Sequence, residues 1–260
     1  HLEEVLGPVR EGGRWGLFCD YDGTLSPIVP HPEAARLPQR TRTLLERLAG
    51  QPRFYLAVVS GRMAADLRAR VGIEGLALAG THGLEIENGG ERFVHPPAEA
   101  ARGLMARLRA VLERAVQDTP GAWVEGKTYT VALHYRQVAP EQQKVVISRA
   151  QEAAAPLVRG GQLQRLEGNM VLEFRPPGGW DKGRAVRWLK ERAEARGGEP
   201  LAGVLYIGDD ATDEDAFAAL GRGDVGVLVA ESPRSTRARF WVRGPEEVAR
   251  FLEALAGMPG

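Results

Sequence analysis

The stretch Trp15-Gly16-Leu17-Phe18-Cys19-Asp20-Tyr21-Asp22-Gly23 decides the fold of this 260-residue chain. An apolar run that ends in two carboxylates predicts a strand buried on both faces, as in parallel sheets covered by helices. Such sheets carry their functional residues at the carboxyl ends of the strands. Because residues two apart in an extended chain point the same way, we expect Asp20 and Asp22 to face one site and Tyr21 to point elsewhere.

Apolar runs of strand length alternate with longer stretches of helical periodicity on both sides of the chain's middle part. The predicted strands are Trp15–Tyr21, Phe54–Ser60, Leu76–Gly80, Gly203–Gly208 and Val225–Val229. The predicted helices are Gln39–Ala49, Met63–Val71, Asp181–Arg196, Thr212–Leu220 and Pro245–Ala254. This alternation predicts an α/β fold with a doubly wound, mostly parallel, Rossmann-like sheet.

The middle of the chain has a different pattern, helix-strand-strand repeated twice. The predicted helices are Ala98–Gln117 and Pro140–Val158, and the predicted strands are Ala122–Glu125, Thr128–Arg136, Gly161–Leu166 and Met170–Phe174. We interpret residues 98–177 as an α+β cap domain inserted into a core made of residues 1–97 and 178–260. The proline-rich junctions at 94–97 and 175–179 are candidate hinges.

Composition excludes several classes of function. The chain has 34 basic and 34 acidic residues, so no net field attracts it to nucleic acid or to an anionic membrane. No run without a charged residue is longer than Gly75–Leu84, and this length is too short to span a bilayer. A single cysteine, Cys19, and an N-terminus without a secretion pattern lead us to expect a cytoplasmic protein.

Polar groups follow four of the predicted strands or begin the helices after them. Besides Asp20 and Asp22, they are Ser60-Gly61-Arg62, Lys182, Asp209 and Asp213. A small hydroxyl and a flexible amide at a helix start suit an anion, and carboxylates gathered at one rim require a hard cation, for which oxygen ligands and phosphate favour Mg²⁺. Each group alone also fits a turn or a helix cap, but their occurrence together favours a site.

At these residues the sequence resembles the haloacid dehalogenase-like phosphohydrolases. The matching motifs are the nucleophile motif at Asp20–Thr24, Ser60, Lys182 and the acidic motif at Asp209–Asp213. Longer pieces resemble the trehalose-6-phosphate phosphatase family more narrowly: Asp20–Ile28, Ser60–Arg62, Gly80–Glu85, Glu125–Lys127, His134–Arg136, Glu173–Pro176 and Gly208–Glu214.

The resemblance implies a monomeric, Mg²⁺-dependent phosphatase whose small-molecule substrate is a sugar phosphate, trehalose 6-phosphate. Asp20 would be the nucleophile and Asp22 the general acid and base. The metal would be held by Asp20, the Asp22 carbonyl, Asp209 and, through water, Asp213, while Ser60, Gly61 and Lys182 would hold phosphoryl oxygens.

Substrate recognition is implied for two further groups of residues. Arg62 and His82 would lie near the phosphate, although a buried structural role suits His82 equally well. In the inserted segment, the resemblance implies that Glu125, Lys127 and Glu173 bind sugar hydroxyls. The alternative is that they are surface charges on a β-hairpin.

The sequence also allows other interpretations. The chain could hydrolyse another sugar or glycosyl-glycerate phosphate, could be a mutase, or could be a non-catalytic module that senses sugar phosphates. Gly121–Thr128 matches a P-loop and Gly221–Gly226 a dinucleotide fingerprint, but neither has the strand before it and the helix after it that these motifs require.

Overall fold

The computed structural model of the chain describes residues 2–29, 31–168 and 170–258. The chain forms two compact units, one made of His1–Phe93 with Trp180–Gly260 and the other of Val94–Gly179. The sequence places these boundaries at 97/98 and 177/178. Among the described residues, every helix is too short or too polar to cross a membrane.

The first unit is built on an eight-stranded sheet. In sheet order its strands are β12 (Phe240–Val242), β11 (Val225–Val229), β10 (Gly203–Gly208), β1 (Trp15–Cys19), β2 (Phe54–Val59), β3 (Ala77–Gly80), β4 (Glu85–Asn88) and β5 (Glu91–Val94). The pairs from β12 to β3 are parallel, and β4 pairs antiparallel with β3. The predicted fold class is thereby confirmed.

Helices cover both faces of this sheet. They are α1 (Leu2–Arg10), α2 (Gln39–Ala49), α3 (Ala64–Val71), α6 (Lys182–Gly197), α7 (Asp213–Ala219) and α8 (Pro245–Ala256). Leu17 and Cys19 of β1 belong to the buried cluster with α1, α2, α3 and α8, whereas Phe18 belongs to the cluster with α6 and α7. Because β1 is buried on both faces, it forms the centre of the core and carries the first acidic motif at its carboxyl end.

The second unit is a four-stranded antiparallel sheet with two helices. Its strands in sheet order are β6 (Trp123–Gly126), β7 (Val131–His134), β9 (Val171–Arg175) and β8 (Gln164–Gly168), and its helices are α4 (Pro96–Val116) and α5 (Pro140–Arg159). Leu133 and Phe174 pack with α4 and α5 in a separate apolar core. Side chains alternate along a strand. In β7 and β9, the residues next to Leu133 and Phe174 therefore belong to the opposite face of the sheet.

Several elements differ from the sequence prediction. Helix α1 and strands β4, β5 and β12 are not among the predicted elements, and the strand expected at Thr128–Arg136 is shortened to Val131–His134. The shortening has a local cause, because the Lys127 N–H donates to the Thr130 carbonyl and closes a turn there (2.9 Å).

The two nucleotide-binding patterns are confirmed as coincidental. Trp123–Gly126 within the P-loop pattern is an antiparallel strand, and Gly221–Gly226 begins between α7 and β11 rather than between a strand and a helix.

Candidate active site

Asp20 is the first residue after β1 and is almost completely buried. Its N–H donates to the carbonyl of Ile207 on β10 (2.8 Å), which continues the parallel ladder by one residue. The side chain of Asp20 is 7% exposed, and its Oδ1 lies 3.2 Å from Nζ of Lys182, which is 2% exposed. The nucleophile candidate therefore faces a desolvated ammonium group.

Asp213 anchors this arrangement from the start of α7. Its Oδ1 accepts hydrogen bonds from Lys182 Nζ (2.7 Å) and from the Tyr206 hydroxyl (2.6 Å). Its Oδ2 accepts from the N–H groups of Asp209 (3.0 Å) and Asp210 (2.9 Å). Four donors match the acceptor capacity of an ionised carboxylate. Asp213 thus holds Lys182, β10 and the Asp209 loop together.

Asp209 lies against the turn that follows β1. The Thr24 hydroxyl donates to its Oδ1 (3.0 Å). Gly23 has φ +80°, and a Cβ at this position would lie 2.2 Å from Asp209 Oδ2. Both the backbone conformation and the close approach of the carboxylate therefore require glycine at position 23.

Burial and mutual repulsion shift the ionisation of this cluster. Burial, opposed by Lys182 but reinforced by Asp213 and Asp209, raises the pKa of Asp20 well above its usual range. Burial and Asp213 raise the pKa of Asp209 to about 7. Burial opposes the charge on Lys182, yet Asp20 and Asp213 more than compensate and raise its pKa. One lysine is therefore too little positive charge for three carboxylates.

The acidic cluster fits a divalent cation. One carboxylate oxygen from each of Asp20, Asp209 and Asp213 lies within 4.8 Å of the others. Carboxylate oxygens are the ligands that hard divalent cations prefer. Because four hydrogen bonds occupy the acceptor capacity of Asp213, Asp20 and Asp209 are the two residues whose carboxylates could ligate a cation directly.

The loop after β2 places Ser60 and Gly61 beside the turn after β3. Ser60 is buried, its carbonyl accepts from the His82 N–H (2.9 Å), and its Oγ accepts from the Arg62 N–H (3.3 Å). A Cβ on Gly61 would lie 2.8 Å from the His82 ring. The predicted phosphate loop and His82 therefore belong to one packed structure.

Asp22 is held by Arg62 rather than by the acidic cluster. Arg62 donates from Nε to Asp22 Oδ2 (2.6 Å) and from Nη2 to Oδ1 (2.7 Å), a bidentate pair. Arg62 also donates to Asp66 (2.9 Å). Tyr21 is buried in the apolar cluster of Leu17, as its opposite orientation predicts.

The predicted sugar-binding residues lie in the second unit. Ala132 of β7 pairs with Glu125 of β6 on one side and with Glu173 of β9 on the other. The two glutamates therefore lie on the same face of the sheet, the one that α4 and α5 do not cover. Two strand spacings separate them, about 10 Å. His134 Nε2 lies 2.9 Å from Glu125 Oε2, and Lys127 Nζ lies 3.9 Å from the same oxygen.

Sequence reasoning missed three residues of the first unit's site, namely Tyr206, Thr24 as a partner of Asp209, and Arg234. Arg234 Nη2 donates to the Asp209 carbonyl (2.6 Å). A signal existed for Tyr206, since a tyrosine two residues before Gly208 in an otherwise apolar strand needs a partner for its hydroxyl. Arg234 lies in an irregular segment and gave no such signal.

A parallel sheet with an aspartate after its central strand, a buried lysine and a second acidic motif defines a phosphohydrolase of the haloacid dehalogenase-like class. Within that class the chain belongs to the trehalose-phosphatase family, whose model matches residues 18–245.

Individual relatives resemble the chain over nearly its whole length. It is 41% identical over 250 residues to an uncharacterized glycosyl hydrolase of Mycobacterium tuberculosis, covering 94% of this chain but 18% of that protein. It is 37% identical to a trehalose-phosphate phosphatase of Mycobacterium marinum, covering 94% of this chain and 62% of the relative. The chain thus spans less than two thirds of the length of these relatives.

A solved structure matches both units. The C-terminal domain of C. albicans trehalose-6-phosphate phosphatase superposes with a TM-score of 0.84 at 25% identity, covering 100% of this chain and 97% of that one.

Proposed function

We propose that this chain is a Mg²⁺-dependent phosphatase that hydrolyses trehalose 6-phosphate through a phosphoryl group carried on Asp20. The observation that carries the proposal is the buried Asp20–Lys182–Asp213 array at the end of β1, in a chain of the trehalose-phosphatase family. The names of the M. marinum relative and of the C. albicans structure, both trehalose-phosphate phosphatases, support the substrate.

The first step transfers the phosphoryl group from the sugar to the protein. A carboxylate oxygen of Asp20 attacks phosphorus, the bond from phosphorus to the sugar oxygen breaks, and that oxygen takes a proton from Asp22. Lys182, whose ammonium group lies 3.2 Å from Asp20, holds the nucleophile in position and offsets charge on the phosphoryl oxygens.

The second step returns Asp20 to its starting state. Water attacks phosphorus, the bond to Asp20 breaks, Asp22 accepts the proton of the water, and inorganic phosphate leaves. The bidentate contact with Arg62 suits the carboxylate form of Asp22 that this step needs. The first step needs a proton on Asp22, so one of the two bonds from Arg62 must open for it.

Ser60 and Gly61 are proposed to bind phosphoryl oxygens, with Arg62 and His82 beside them. A small hydroxyl and a backbone amide just before α3 suit an anion, because helix N-termini carry partial positive charge. Asp20 and Asp209, with Asp213 behind them, would hold Mg²⁺. When bound, the metal neutralises charge on the transferring phosphoryl group.

Sugar recognition is proposed for Glu125, Lys127 and Glu173. Their support is the face of β6 and β9 that they share and that α4 and α5 do not cover, together with the distance of 3.9 Å between Lys127 Nζ and Glu125 Oε2. Charged groups that bind hydroxyls contribute about 1.5–3 kcal/mol each. Alanine at each position should lower kcat/KM for trehalose 6-phosphate about tenfold to a hundredfold and leave a small aryl phosphate nearly unaffected.

The test is phosphate release over a panel of sugar phosphates, with an aryl phosphate as a substrate that carries no sugar. We expect trehalose 6-phosphate to be preferred, turnover to require a divalent metal, and Asp20→Asn to be inactive. Preference for a different sugar phosphate would overturn the substrate. Binding of sugar phosphates without any turnover would favour a sensing module instead.

A further inference from the structure

Glu85, the first residue of β4, joins two loops of the candidate site. It is 8% exposed. Its Oε1 accepts a hydrogen bond from the N–H of Ala64 (3.0 Å) and another from the Thr81 hydroxyl (3.3 Å). Ala64 is the first residue of α3, so the carboxylate of Glu85 caps the helix that begins just after Ser60-Gly61-Arg62.

Two backbone hydrogen bonds connect the same loops. The Thr81 N–H donates to the Arg62 carbonyl (2.7 Å), and the His82 N–H donates to the Ser60 carbonyl (2.9 Å). Together with the bond from the Ala64 N–H to Glu85, they tie the loop after β2 and the start of α3 to the segment after β3 at three points. The bond from Thr81 to Glu85 lies within that segment and holds it together. Any movement of this turn is therefore transmitted to Ser60 and Arg62.

The turn is also wedged between two helix starts. A Cβ on Gly80 would lie 2.3 Å from the backbone nitrogen of Ala64, and a Cβ on Gly83 would lie 2.4 Å from the Cβ of Ala185. Ala185 lies in the first turn of α6, the helix that begins with Lys182. The turn thus packs against the start of α3, the helix that follows Ser60 and Gly61, and against the first turn of α6, the helix that carries Lys182.

The backbone of the turn is strained. Thr81 has φ +49° and His82 has φ +57°, in the left-handed region. Two consecutive non-glycine residues there, one of them β-branched, are unfavourable and persist only where surrounding contacts enforce them. The hydrogen bond from Thr81 to Glu85 is one such contact.

We propose that Glu85 is a positioning residue that, through Thr81 and the N-terminus of α3, holds the Ser60–Arg62 loop in the geometry that binds the phosphoryl group. The inference rests on the proposed function in taking this loop as the phosphate-binding loop. Glu85 itself touches neither substrate nor metal in this proposal.

The test compares Glu85→Leu, which removes the acceptor, with Glu85→Gln, whose amide oxygen can still accept from Ala64 and Thr81. Glu87→Leu is the matched control, because Glu87 also joins β4 to α3 but does so through Arg68, away from the start of the helix. The readouts are the inhibition constant of inorganic phosphate and the separate kcat and KM for an aryl phosphate.

We expect Glu85→Leu to weaken inhibition by phosphate and to raise KM at least about tenfold, and Glu85→Gln and Glu87→Leu to stay within about threefold of the wild type. A purely structural role would lower the active fraction and leave the inhibition constant unchanged, and that result would overturn the proposal.

A second pair covers the case in which Glu85→Leu does not fold. Thr81→Val removes only the hydroxyl, and Thr81→Ser keeps it. We expect Thr81→Val to weaken phosphate inhibition and Thr81→Ser to retain it, and equal constants would overturn the proposal. If the wild type neither binds phosphate nor turns over, the proposed function fails; if it does both and the variants match it, only the positioning role fails.

Discussion

Replacement of Asp213 by asparagine tests the anchor of the candidate site. The carboxylate accepts four hydrogen bonds, two from Lys182 and Tyr206 and two from backbone N–H groups. An asparagine side chain has the same shape but offers one acceptor oxygen, and its NH₂ group must then face one pair of donors. Asp213→Asn therefore loses at least two hydrogen bonds in a site with 0% exposure.

The magnitude follows from the hydrogen bonds lost. A hydrogen bond to a charged group is worth about 1.5–3 kcal/mol, so two of them amount to about 3–6 kcal/mol. A typical domain has a free energy of unfolding of about 5–15 kcal/mol. The loss would remove a large fraction of the stability of the first unit and would also release Lys182 from its position beside Asp20.

The assay is urea denaturation followed by tryptophan fluorescence, with Asp210→Asn as the matched control. Asp210 belongs to the same motif but is exposed, and among the described residues its side chain accepts only from the N–H of Ala211 (2.7 Å), which an asparagine oxygen can also do. We predict a change within about 0.5 kcal/mol for Asp210→Asn. Equal, small effects of the two substitutions would refute the anchor role of Asp213.

Three further predictions concern neighbouring groups. Tyr206→Phe removes one hydrogen bond of 2.6 Å and should lower the free energy of unfolding by about 1.5–3 kcal/mol, less than Asp213→Asn in the same denaturation assay; an unchanged midpoint would contradict it. Burial raises the pKa of Asp209 to about 7, above its value of 3.8 in the unfolded chain, so the stability this group contributes is fully present below about pH 4 and is lost as the pH rises through about 7. With a chelator present, the free energy of unfolding of the wild type should therefore fall relative to that of Asp209→Asn as the pH rises from about 4 to about 7. A difference between the two proteins that stays constant over this pH range would contradict the raised pKa of Asp209. Asp22→Asn should slow phosphoryl transfer from trehalose 6-phosphate by about 10²–10⁴-fold but much less from a nitrophenyl ester, whose leaving group needs no proton; rapid-quench bursts on both substrates measure this, and equal slowing would remove Asp22 as the acid.

The central strands could be predicted because their sequence pattern and their burial have the same cause. The run Phe54–Val59 is apolar at every position since helices cover both faces of β2. Strand β4 escaped prediction because Glu85-Ile86-Glu87-Asn88 has charged residues on alternate positions. Its carboxylates have partners, Ala64 and Arg68, that only the fold brings near.

In the candidate site, too, the sequence pattern predicts some features and only the folded structure determines the others. The topological rule that strand ends meet at one edge is enough to place Asp20 near Asp209. The rule does not predict how α7 is positioned against β10. That position decides that Asp213 binds Tyr206 and Lys182. Nor does the sequence reveal that Arg62 holds Asp22, since this pair depends on the conformation of two loops.

Phosphorylation of Asp20 is the most direct test of the proposed reaction. Protein mixed with trehalose 6-phosphate and Mg²⁺ is quenched in acid during turnover, and the digested chain is examined by mass spectrometry. We predict a phosphoryl group on the peptide that contains Asp20, with none in Asp20→Asn. Turnover with the phosphoryl group on another residue, or undiminished turnover by Asp20→Asn, would contradict the proposal.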